Sequence, residues 1–207
     1  MKQILLLSAI AASLTFASAC SSAPETATTN RAAANATANA VTTNTTTANA
    51  APKTDNDAPA AIKAVFPDAQ SFTTQHKDIP AENIASIEKD TSSKVPAKDH
   101  HSYNAYSTAG GARKQIGAAT VVKVGGKDVI VVYDNKEGSP VIKEIRAEGV
   151  PAPFLAQFAG KGHDNDLLLG ADIKANGANE AQAKAITEAV RVDVLTMQAL
   201  YGASHKH

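Results

Sequence analysis

Between Ile116 and Gly149 the chain reads IGAATVVKV, GG, KDVIVVY, DNKEG and SPVIKEIRAEG, and no other stretch limits the fold as strongly. Short runs rich in β-branched residues, broken by turn formers, read as three strands. Turns at Gly125–Gly126 and at Asn135 to Gly138 join them as hairpins. Val129, Ile130, Val131 and Val132 form an unbroken apolar run, the mark of a strand covered on both faces. Val141, Ile142 and Ile145 complete the third strand. The segment predicts an antiparallel meander with its middle strand buried, so something must cover each side.

Helical candidates flank the meander. AAIKAVF places Ile62, Val65 and Phe66 on one short face, and Pro67 with Asp68 ends it. DIPAENIASIEKD, from Asp78 to Asp90, predicts a short helix with Asp78 as cap, Pro80 in the first turn and Ile79, Ile84 and Ile87 inward. The polar stretch Lys94 to Gln115 gives little periodicity, with Tyr103 and Tyr106 marking the start of a strand. PAPFLAQFAGKG gives Phe154, Leu155 and Phe158 one helical face. HDNDLLLGADI predicts a turn and then a short strand through Leu167 to Leu169. Glu180 to Tyr201 carries Ala183, Ile186, Val190, Val194, Met197 and Tyr201 at helical spacing, and Gly202 stops it. The expected class is α+β: an antiparallel meander packed with a long C-terminal helix.

The first 58 residues are of another kind. MKQILLLSAIAASLTFASAC has a basic start, an apolar run from Ile4 to Ala12 and small residues before Cys20, which predicts a signal peptide over 1–19. Cys20 is the single cysteine of the 207 residues. It sits where a lipoprotein signal places its lipid-modified cysteine, although Ala17 stands where leucine is commoner. Ser21 and Ser22 follow with no aspartate, and by resemblance to bacterial lipoprotein sorting this points to the outer membrane, periplasmic side. Residues 20–58, mostly Ala, Thr and Asn, hold too little apolar surface to offset the entropy of ordering and predict a disordered tether. The folded domain is then 59–207. With no second cysteine, a hydrophobic core must hold it. The 20 basic and 20 acidic residues balance, and aromatics make up only 4%, so neither the electrostatics nor the stacking of a nucleic-acid binder is present.

In this order of elements the chain resembles the FMN-binding domain found in the C subunit of sodium-pumping NADH:quinone oxidoreductase, in the G subunit of Rnf complexes and in exported stand-alone proteins. The resembling marks are AVFPDAQSF, QIGAATVVKVGGKDVIVVY, PFLAQFAGKG, and LLLGADIKANGAN before a long helix. In that family the loop before the last helix carries Asp, two residues, then Ser/Thr-Gly-Ala-Thr/Ser, and a transferase esterifies FMN phosphate onto the last hydroxyl. Aligned on Gly177 and Ala178, this chain has Asn176 and Asn179 at the two hydroxyl positions, and Asp172 stands one step too early. An amide cannot accept the phosphoester, and Thr187, the nearest downstream hydroxyl, lies two turns into the helix. Covalent flavin is therefore not expected. The resemblance still implies noncovalent FMN, held by Gly170, Asp172, Asn176, Gly177, Ala178 and Asn179 with Phe154 and Phe158, in an electron-transfer protein with an envelope redox partner.

Read from its own residues, NGAN is a helix cap. Asn179 suits the N-cap, Gln182 stands where a capping box is completed, and Glu180 suits the positive helix end while opposing a bound anion. A flavin-free member serving as an envelope interaction or assembly module is thus the second reading. A third is an envelope metal-binding protein using His100–His101, His163 with Asp164 and Asp166, or the tail His205-Lys206-His207. None has a recognised ligand spacing: His100 and His101 would point to opposite faces of a strand, and DNDLLLG lacks the calcium-loop glycine. No metal ligand is assigned. No nucleophile motif of the GxSxG kind is present, so no catalytic set is assigned either.

Overall fold

The computed structural model describes residues 58–203. The expectations for the signal peptide, the tether, Cys20 and the histidine tail lie outside the described residues. Five strands, β1 (Ser71–Asp78), β2 (Asp99–Ser107), β3 (Lys114–Val124), β4 (Lys127–Lys136) and β5 (Ser139–Ala147), form one antiparallel sheet in the order β1-β2-β3-β4-β5. The hairpin turns are as expected. Gly125 and Gly126 have φ of 58° and 80°, and Glu137 and Gly138 have 55° and 86°, the two left-handed residues that suit a two-residue hairpin.

Alternation along β4 assigns the two faces. Val129, Val131 and Tyr133 enter one core with Ile142 and Ile145 of β5, and Ile130 and Val132 enter a second with Phe72, Ala105 and Ala119. The first core is closed by α4 (Glu180–Tyr201). Its stripe of Ala183, Ile186, Val190, Val194 and Met197 is buried, and Tyr201 is half-buried. The second is closed by α1 (Ala60–Val65) with Phe66. The apolar run at 129–132 is thus covered on both sides, as its composition demands. α2 (Ala81–Thr91) contacts α4, and α3 (Ala152–Leu155) continues as a 3₁₀ turn, Ala156–Phe158, against β5.

Four local expectations change. SFTTQHKD is strand β1, although its side-chain pattern does not mark it as one; as an edge strand of the sheet it is held by backbone pairing to β2 and needs little apolar alternation. Asp78 ends that strand instead of capping a helix, and Pro80 is the N-cap of α2, with no side-chain cap bond. Residues 94–115 hold all of β2, with Tyr103 and Tyr106 inside it. Leu167 to Leu169 is no strand: Leu167 takes φ 51° and Gly170 φ 91°, and only Leu169 makes an isolated bridge, to Ile173. Left-handed residues on either side of Leu168 break the extended run. Leu167 is thereby buried in the core while Leu168 stays 43% exposed.

Candidate functional site

The loop expected to hold a flavin is built by three devices. Phe154 and Phe158 meet edge to face, with centroids 5.5 Å apart, and both are fully buried beside the α4 stripe. The expectation that they line a pocket is corrected: both rings face the core and offer no surface to a ligand. Gln157, between them, points outward. Its Oε1 accepts from Lys174 N at 2.8 Å and its Nε2 donates to Lys174 O at 2.8 Å, stapling the following loop to the 3₁₀ turn.

That loop, Leu168 to Lys174, folds back on itself. Gly170 N donates to Ile173 O at 2.7 Å, Ile173 N to Leu168 O at 3.1 Å, and Leu168 N to Asp172 Oδ2 at 3.4 Å. Lys174 Nζ donates to Gly170 O at 2.6 Å. Asn176 is left-handed at φ 42° and donates from Nδ2 to Pro153 O at 3.4 Å, and Gly177 follows at φ 86°. Ala178 N donates to Ala175 O at 2.8 Å. Asn179 Oδ1 then accepts from Ala181 N at 3.0 Å and Gln182 N at 3.4 Å, filling the helix N-terminus with the chain's own acceptor. Glu180 adds a carboxylate in the first turn. The structure therefore brings Gly170, Asp172 and Asn176 to Asn179 into consecutive turns closed by the chain's own hydrogen bonds. Thr187 is 2% exposed, too buried to receive a group.

A second constellation was not foreseen. Asp193, in the middle of α4 and 5% exposed, carries its carboxylate into the seam between helix and sheet. Thr120 of β3 donates to Oδ2 at 2.5 Å, Tyr133 of β4 donates to the same atom at 2.6 Å, and His100 Nε2 of β2 lies 3.1 Å from Oδ1. Ser102 and Tyr201 pair at 2.9 Å beside it. Burial first, then the charge of Asp193 and the bond to it, push the Tyr133 hydroxyl well above its ordinary value of 10.0. Burial also raises Tyr201. In sequence the signal was present: Asp193 is three residues after Val190 and four before Met197, inside the apolar stripe, where a charge is costly unless paired.

The histidines divide as alternation requires. His100 faces α4 and Asp193, while His101 faces the opposite side, with Asp99 and His76. His163 Nε2 lies 3.1 Å from Asp164 Oδ1 and lines a cleft of about 310 Å³ with Asp166, Asp90 and Arg191. This cleft is not lined by the loop from Gly170 to Asn179. Among the described residues no helix is long and apolar enough to cross a membrane. Comparison with protein-family models, curated proteins and solved structures finds no match.

Proposed function

We propose that this chain is a lipid-anchored protein of the cell envelope, built on an FMN-binding type of fold, whose flavin site has become structural. It acts as a flavin-free binding or assembly module. One observation supports this above others: Asn179, where the related acceptor hydroxyl would stand, directs its side chain to Ala181 N and Gln182 N. An incoming phosphate would have to displace that acceptor and sit beside Glu180. Each contribution opposes it, by about 1 kcal/mol for the cap and about 0.3–1 kcal/mol for the helix-end charge.

The competing reading is noncovalent FMN and electron transfer, which rests on the sequence resemblance and on the preserved Gly-rich turn at Gly177. Titrating the purified protein with FMN, and measuring its intact mass after co-expression with an active flavin transferase, separates the two. The expected result is no flavin spectrum up to high micromolar FMN and no added flavin mass. Saturable FMN binding with perturbed flavin bands would overturn the proposal.

A further inference from the structure

We propose that His76, Asp99 and His101 form a binding site for one divalent first-row transition-metal ion on the sheet face opposite α4. This inference is independent of the flavin question, since the three residues lie on β1 and β2, away from the loop before α4.

The ladder produces the site. His76 pairs directly with His101, and Asp99 lies two residues before His101 on the same face. One ligand atom from each residue falls within 4.8 Å of the other two. Asp99 Oδ2 is 2.6 Å from His101 Nε2 and 3.3 Å from His76 Nδ1, and the two rings lie 4.0 Å apart, tilted by 59°. Metal–ligand bonds of about 2.0–2.2 Å give donor separations of about 2.9–3.5 Å in square-planar to tetrahedral geometry. The 3.3 Å spacing falls within that range and the 2.6 Å spacing is slightly short of it, so small side-chain rotations suffice to admit an ion. Each histidine would bind as neutral imidazole through the nitrogen that now faces Asp99, with its proton on the other ring nitrogen.

The chemistry of the donors selects the ion. Two imidazole nitrogens and one carboxylate suit copper, zinc or nickel; calcium and magnesium prefer all-oxygen shells. Three protein ligands leave a position for water or a further donor. Electrostatics agree: Asp78 pairs with Asp99 and alternation puts it on the same face. Lys77, the nearest β1 cation, is drawn to the other face, donating to Leu200 O at 3.0 Å and lying 4.0 Å from the Tyr201 ring centroid. All three ligands are exposed, so the ion has direct access.

The test is calorimetric titration of the exported, untagged full-length protein in detergent with Cu(II), Ni(II) and Zn(II), and the Cu(II) paramagnetic resonance spectrum. One ion per chain is expected, with copper tightest and a spectrum showing two nitrogen ligands. His76→Ala, His101→Ala and Asp99→Asn should each weaken binding at least ~10-fold. The tail variant His205→Ala/His207→Ala and His163→Ala should leave this site intact. Because the three ligands are exposed, their variants keep the fold, which far-UV circular dichroism checks. No binding, binding unchanged by the His76 and His101 variants, or binding lost only with the tail, overturns the proposal.

Discussion

Asp193 shows how much one side chain can organise. It holds one oxygen against Thr120 and Tyr133 and the other toward His100, so a single carboxylate ties α4 to β2, β3 and β4. Replacing it by Ala orphans buried hydroxyls that would each cost about 1–3 kcal/mol, and breaking such a buried set is worth about 3–5 kcal/mol in total. Asp193→Asn keeps one acceptor and should lose less. Tyr133 adds a pH signature. Its folded-state pKa lies above the unfolded value of 10.0. Its contribution is therefore fully present below pH ~10 and declines as pH rises, because only the unfolded chain can release that proton. Its share of the slope is about 1.4 kcal/mol per pH unit. Urea melts between pH 9 and 11 should show wild-type stability falling more steeply than that of Tyr133→Phe. Parallel slopes would refute the assignment. None of Thr120, Tyr133 or His100 was readable as a partner, because their approach depends on which strands the helix crosses.

At the level of elements, periodicity was a good guide wherever one face was apolar and a poor one elsewhere. The α4 stripe and the β3–β5 meander were legible because burial repeats at the period of each structure. Strand β1 was not, because an edge strand is held by backbone bonds that side-chain pattern does not encode. Leu167–Leu169 misled for the opposite reason: three leucines look like a strand, yet left-handed backbone at Leu167 and Gly170 turns them into a loop. Irregularity also has its uses. The pairing of β2 with β3 shifts between Ala105 and Tyr106, and Gly117 sits at that shift under the Phe66 ring. A Cβ on Gly117 would stand 2.6 Å from Phe66 Cε1. Gly117→Ala should therefore lower stability by about 1–3 kcal/mol through overpacking. A second change, Phe66→Leu, should recover part of the loss in a double-mutant cycle, and strict additivity would show that the ring is not the cause.

For the whole molecule, anchorage and fold are separable properties. We propose that Cys20 carries the lipid, so Cys20→Ser should move the protein from the membrane fraction to the soluble fraction and abolish labelling by radioactive palmitate. Persistent membrane association would refute the anchor. The sequence by itself determined the α+β class, the two-sided burial of β4, the extent of α4, the Asn179 cap and the absence of an acceptor hydroxyl in NGAN. Those features depend on residue identity and on periods of two or 3.6, which are local. Only the tertiary structure decided that Phe154 and Phe158 are core, that Asp193 is shared among three strands, and that His76 stands beside His101 and Asp99. Residues so far apart in the chain meet through strand register and helix placement, and those are set by the packing of all elements at once.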